Sequence, residues 1–285
     1  MTFYDLLKWG ENRLAAAGIS EAELDARYLL LEAFEMDMTH FLLKQREEVP
    51  TTDGRTREYS MAVQARESRV PLQYLIGSQE FMGLSFLVDE HVLIPRQDTE
   101  TLVELVLTEN REKEKRVLDM CTGSGCIGIS LSVLGNYETV EGADISREAL
   151  RVAEENNRRL SGRVAFRQSD LFGAFEEQER YDVITSNPPY IPSAVIEGLE
   201  PEVKDYEPRL ALDGSADGLE FYRRLAEECP GHLNPGGKLY LEIGYDQGEA
   251  VEELLRQRGF VNRKIVKDAA GNHRVVCGEW PVSGK

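Results

Sequence analysis

The sequence predicts an α/β fold: a mostly parallel sheet covered by helices on both faces, with a small helical domain in front. Three observations carry this. From Arg116 onward, short apolar runs of strand character alternate with segments of helical period, the pattern of a parallel sheet with helical crossovers. Residues 1–78 show helical period alone. Between the two, "FMGLSFLVDEHVLIP" (81–95) turns β-rich, with Gly83 and Asp89-Glu90 at turn positions, and predicts a hairpin linker over 79–95. The third region, 96–285, is then the α/β domain.

In the first region "FYDLLKWGENRLAAAG" repeats apolar residues at helical spacing and stops at Gly18, a C-terminal cap. "ISEAELDARYLLLEAFEM" opens on Ser20 with Glu23 three residues on, a capping-box signature. A third helix covers "DGRTREYSMAVQARESR" and ends before Pro71. No catalytic cluster stands out, so this bundle reads as a scaffold or a docking domain. After the helix "RQDTETLVELVLTEN" and the solvated run "REKEKR", the expected strands are "RVLDM", "ETVEGADIS", "RVAFRQSD", "YDVITS", "PGGKLYLEIG", "FVNRKIVKD" and "HRVVCGEW". Helices intervene at "GCIGISLSVLG", "REALRVAEENNRRL", "GLEFYRRLAEEC" and "QGEAVEELLRQRG". The closing strand is expected to run antiparallel to the rest.

A length of 285 residues suits about two domains. No stretch approaches the roughly 20 apolar residues of a membrane span. The first helix carries Asp5, Lys8 and Glu11 among its apolar residues, unlike a signal peptide. Cys121, Cys126, Cys229 and Cys277 lack metal or redox spacing, and His40, His91, His232 and His273 do not complement them. A cytoplasmic protein with reduced thiols and no metal is expected. The formal charge of −18 gives no support to a surface that tracks phosphates.

Four motifs carry chemistry. "VLDMCTGSGCIG" (117–128) runs from a strand through a glycine turn into a helix. Gly123 and Gly125 let the backbone approach a ligand without a Cβ in the way. The pattern satisfies a dinucleotide fingerprint. However, an acidic residue ahead of the glycines, Asp119, suits the ammonium and sulfonium of S-adenosylmethionine better than a pyrophosphate. Asp144, about 20 residues beyond the glycines at the end of the next strand, is placed to accept from both hydroxyls of a ribose. Alternatively it caps the following helix, a task for which Ser146 is an equal candidate. In "QSDLF" (168–172), Asp170 is positioned for an adenine amino group and Leu171 or Phe172 for the ring.

The fourth motif, "NPPY" (187–190), ends the strand "YDVITS" on two residues that cannot donate to a ladder. A stiff tip results, presenting a carboxamide and an aromatic ring beside the glycine loop. An amide or aniline-like nitrogen is a poor nucleophile because its lone pair is delocalised. Accepting hydrogen bonds from both of its N–H groups favours the pyramidal geometry that frees the pair. The Asn187 side-chain oxygen and the Pro188 carbonyl are the two acceptors, with Tyr190 stacked on the planar group. Catalysis is then chiefly positioning.

Strand, glycine loop, acid and "NPPY" together resemble the class I S-adenosylmethionine-dependent N-methyltransferases. "FMGLSFLVDEHVLIPRQDTE", "VLDMCTGSGCIGISL", "NPPYIP" and "YEPRLALDGSADGLEFYR" narrow the resemblance to the PrmC/HemK family of protein glutamine methyltransferases, over nearly the whole chain. The resemblance implies a Rossmann-like methyltransferase domain. It also implies methylation of the glutamine in the Gly-Gly-Gln loop of class I peptide chain release factors. The cofactor positions it implies are Cys121, Thr122, Gly123, Ser124, Gly125, Asp144, Leu171 and Asn187, and the glutamine-binding tip is Asn187, Pro188, Pro189 and Tyr190. Cys121 stands where relatives often have glycine, Gln97 where proline is frequent, and Leu171 where an aromatic is frequent. A nucleic-acid N-methyltransferase acting on a flipped base shares the tip chemistry, and only charge and flanking segments argue against it. A docking protein without activity fits poorly with an intact tip and loop.

Overall fold

In the computed structural model, which describes residues 1–49 and 54–282, the apolar residues of the first 78 positions converge on one core. Phe3, Leu6, Leu14, Leu30, Phe41, Tyr59 and Val63 are all buried there. The chain divides into two units: Met1–Ser78 with Glu200–Tyr206, and Gln79–Leu199 with Glu207–Lys285. Residues 200–206, which the sequence leaves with the third region, cluster with the helices. Ion pairs explain why: Arg66 donates to buried Asp25 at 2.7 Å and to Glu202 at 2.9 Å. Tyr206 Oη donates to the Ser68 carbonyl.

The first helix, Phe3–Ala16, starts from a capping box between Thr2 and Asp5 and ends ahead of Gly18 at φ +73°. The box expected at Ser20 does not form. The second helix is Ala22–Ala33 with Glu21 at its N-cap and no side-chain cap, and Glu23 pairs instead with Arg27 one turn on. The third is Gly54–Glu67, and Asp53, where it was expected to begin, lies outside the described residues. Two short helices, Met38–Lys44 and Leu72–Ile76, were too brief for periodicity to reveal.

Gly10 packs against this core so closely that an added Cβ would lie 1.9 Å from Tyr59 Oη. Tyr59 is fully buried and set edge-on against Trp9, so its ring cannot swing clear. Gly10→Ala would gain about 1 kcal/mol of helix propensity. Overpacking of about 1–3 kcal/mol or more opposes that gain. The expected outcome is a lower thermal midpoint, and a raised one would contradict this packing.

The hairpin is β1 (Ser78–Phe81) and β2 (Leu84–Leu87), turning on Met82 and Gly83, both with positive φ as a two-residue hairpin turn requires. The main sheet comprises β3 (Arg116–Met120), β4 (Thr139–Asp144), β5 (Val164–Gln168), β6 (Tyr181–Ser186), β7 (Leu233–Glu242), β8 (Val261–Lys267) and β9 (His273–Glu279). Their order is β5-β4-β3-β6-β7-β9-β8. β3 to β7 pair in parallel, while β9 is antiparallel to both neighbours and lies between β7 and β8.

Alternation assigns the two faces. Leu118, Ile184, Leu239 and Leu241 join one core; Val117, Val183 and Tyr240 join the other. The sheet winds one way from β3 through β5 and the other way from β6. Its switch point, where open α/β sheets bind ligands, is therefore the crevice beyond the carboxyl ends of β3 and β6.

Candidate active site

The glycine loop leaves β3 on Cys121 at φ +60° and passes Gly123 at +54° and Gly125 at +81° before the helix Cys126–Ser130. Cys121 thus occupies the left-handed region that favours glycine. A Cβ on Gly123 would meet nothing within 4 Å, because that side of the loop is the cleft. Gly125 has a different role: a Cβ there would lie 2.7 Å from Ile129, so it permits close packing of the helix. Beyond Ser130 the helix continues as a π-helical turn, Leu131–Gly135.

Buried Asp119 fixes the base of the loop. Its Oδ2 accepts from Thr122 Oγ1 at 2.5 Å and from the Gly128 amide at 3.1 Å, and its Oδ1 from Thr185 Oγ1 at 2.9 Å. Burial outweighs these bonds and pushes its carboxyl up to about 6. With both oxygens engaged and no surface on the cleft, Asp119 positions the loop. The sequence has it address a ligand's cationic groups; in the structure it is buried behind the loop and does not line the cleft. Fully buried Asn156 ties the loop to the hairpin, donating to the Ser124 and Leu87 carbonyls while its oxygen accepts from the Leu87 amide. Pattern alone could not single it out from its helix.

Asp144 lines the cleft at the end of β4. One carboxylate oxygen accepts from the Gly123 amide and the other from the Ser146 amide, both at 2.9 Å. Ser146, not Asp144, caps the helix Arg147–Arg159, accepting from the Ala149 amide at 3.1 Å. Asp170 pairs with Arg224 at 2.9 Å. Leu171 reaches the cleft from a backbone at φ +45°, whereas Phe172 turns inward and stacks on His232 at 4.3 Å.

The cleft is open at its mouth and, with the solvent there included, encloses about 1180 Å³ of atom-free space. Cys121, Thr122, Gly123, Ser124, Asp144, Asp170, Leu171, Asn187 and Pro189 line it. Asp119, Gly125, Pro188 and Tyr190 do not. Sequence reasoning missed two further walls, one of His91, Val92, Leu93, Pro95 and Arg96 and one of Pro208, Leu210 and Ala211, and the aromatic Phe221. The first was read as linker only. An ion pair between Arg96 and buried Glu207 joins the two walls.

The tip after β6 is held from behind. Pro188 and Pro189 are buried, and Ile191 bridges to Asp213. The Tyr190 carbonyl accepts from Gln247 Nε2 at 3.0 Å, and Gly214 lies so close to the Tyr190 backbone that a Cβ would come within 2.7 Å. The Tyr190 ring packs against the core, where burial pushes its phenol up to about 12. The ring expected to stack on the substrate is thus partly buried against the core and does not line the cleft. Asn187 lines the cleft, and its Nδ2 donates to Thr99 Oγ1 at 3.4 Å.

A glycine cradle on one side of a switch point, a carboxylate at the end of the neighbouring strand and an Asn-Pro-Pro-Tyr tip opposite define a class I S-adenosylmethionine-dependent methyltransferase. The open space at Gly123 and the acceptor pair of Asp144 fit the nucleoside. The chain matches family profiles described as PrmC N-terminal domain, over residues 5–77, and methyltransferase small domain, over 97–197. It is 40% identical to the release factor glutamine methyltransferase of Geobacter sulfurreducens, over 97% of this chain and 96% of that one. To the protein of the same description from Moorella thermoacetica it is 43% identical, over 96% and 97%. In fold it is similar to a methyltransferase from Pyrococcus furiosus (TM-score 0.55, 21% identity, 76% of this chain and 99% of that one). The chain belongs to the PrmC/HemK family of release factor glutamine methyltransferases.

Proposed function

We propose that the protein transfers a methyl group from S-adenosylmethionine to the side-chain amide nitrogen of the glutamine in the Gly-Gly-Gln loop of class I peptide chain release factors. The observation that carries this is the likeness to release factor glutamine methyltransferases over 96–97% of the chain, joined to a tip whose carboxamide, Asn187, lines the cleft. When bound, S-adenosylmethionine supplies an electrophilic methyl on a sulfonium. Asp144 accepts from the ribose hydroxyls, Gly123 and its neighbours seat the nucleoside, and Leu171 borders the adenine with Asp170 beside it. The Asn187 side-chain oxygen accepts one N–H of the glutamine amide, and the second acceptor in this reading is the backbone carbonyl of Pro188, a buried residue behind the cleft that Asn187 and Pro189 line. Held so, the nitrogen presents its lone pair to the cleft, and its extra proton leaves to water once the bond to carbon has formed. Positioning provides the rate.

The helical unit, residues 1–78, is the docking domain for the release factor in this reading. No helix among the described residues is long and apolar enough to cross a membrane. A cytoplasmic location is part of this reading and rests on the four free cysteines. The charge of −18 disfavours nucleic acid as the substrate. Mass spectrometry tests the proposal. A release factor incubated with the protein and S-adenosylmethionine should gain one methyl on the glutamine of its Gly-Gly-Gln peptide. An unmodified peptide, with cofactor binding intact, would redirect the search to other proteins and to nucleic acid.

A further inference from the structure

Directly behind Asn187, outside the cleft, lies a carboxylate that the reaction as described does not use. Glu242 is the last residue of β7, next to β6, and is 1% exposed. Its Oε2 has no hydrogen-bond partner. The carboxylate faces the Thr99 hydroxyl and the Asn187 amide, and the Asn187 Nδ2 donates to that same hydroxyl. The charged and titratable groups around it are Arg274 from β9, Asp98 from the turn before the helix Glu100–Glu109, Tyr190 from the tip, Tyr222 from the helix Glu220–Glu228, and Cys126 from the glycine-loop helix. Only Arg274 among them is cationic.

We infer that Glu242 is a positioning residue for methyl transfer: ionised, it fixes which end of the Asn187 carboxamide faces the substrate. The inference rests on the role given to Asn187 above. An ionised carboxylate only accepts hydrogen bonds, so it holds the Nδ2 end of Asn187 toward itself and Thr99 and leaves Oδ1 to the cleft. Drawing on the amide N–H also polarises the group and makes Oδ1 a stronger acceptor. A protonated Glu242 can donate to Oδ1, which permits the flipped amide. The tip then offers N–H groups to a substrate amide that also offers N–H groups, and the productive geometry is lost.

Burial pushes the Glu242 carboxyl up to about 7, with Thr99, Arg274 and Asn187 opposing the rise. The active form is the ionised one, so kcat rises with pH through that region and levels above it. Glu242→Gln should lower kcat about 10-fold or more on the alkaline plateau, the scale of a lost hydrogen bond to a charged group. It should also abolish the step in the pH profile. KM for the release factor and affinity for S-adenosylmethionine should stay unchanged.

A second readout needs no turnover. The side-chain amide resonances of Asn187, identified by their loss in Asn187→Ala, should move between about pH 6 and about pH 8 in the wild type, around the region where Glu242 titrates. In Glu242→Gln they should not. Resonances that ignore pH in the wild type, or a variant with full kcat and the same pH step, would overturn the inference. A wild type inactive on release factors would count against the proposed function, while the resonances still decide the coupling of Glu242 to Asn187.

Discussion

Asn187→Ala should reduce methyl transfer by about 10²–10³, the loss typical of removing one group aimed at developing charge. Cofactor affinity should stay within several-fold. The asymmetry follows from the architecture. The loop that seats the nucleoside is held by Asp119, Asn156 and Asp144, none of which touches the Asn187 side chain. The tip is held by its backbone, through the Ile191 bridge and the Gln247 bond to the Tyr190 carbonyl, so the truncation leaves its course intact. What disappears is the group that the proposed mechanism uses as acceptor for the substrate amide. The loss should therefore fall on kcat more than on KM, since the release factor contacts the protein over far more than one amide. Single-turnover measurements with saturating cofactor read this directly. Near-full turnover in the variant would mean that the carboxamide is not the acceptor and that the mechanism is wrong.

How much of this was legible in the sequence depended on whether a feature was local. "YDVITS" and "RVLDM" were read to the residue because strands buried on both faces show as apolar runs bounded by a breaker or a charge. The glycine loop and the tip were legible because glycine and proline restrict the backbone wherever they stand. Partnerships between distant segments were not. Asp119 was an acidic residue near glycines, and only the fold shows its oxygens occupied by Thr122, Thr185 and Gly128. Tyr190 looked like a stacking ring because the motif presents an aromatic. The orientation of that ring is set by the core beside β7, which no local pattern encodes. The clustering of 200–206 with the helices is illegible for the same reason, because its attachment runs through Arg66 and Ser68, more than 130 positions away.

Asp144→Ala should weaken S-adenosylmethionine by about 10–150-fold, which corresponds to one hydrogen bond to a charged group at roughly 1.5–3 kcal/mol. The carboxylate serves two parties. Its oxygens already accept from the Gly123 and Ser146 amides, and the acceptor capacity that remains faces the cleft. Removing it takes the ribose acceptor and one restraint on the glycine loop together, so the effect should appear in the cofactor dissociation constant and little in kcat at saturating cofactor. Ser146→Ala separates this from simple damage to the next helix. It removes the N-cap and costs about 1 kcal/mol of stability, yet should leave cofactor affinity in place because the Ser146 backbone amide still donates to Asp144. Titration calorimetry on the two variants distinguishes the cases. An unchanged dissociation constant for Asp144→Ala would remove the ribose from Asp144, and equal weakening by both variants would assign the effect to the helix start. Loss confined to Asp144→Ala means that the strand end holds the nucleoside.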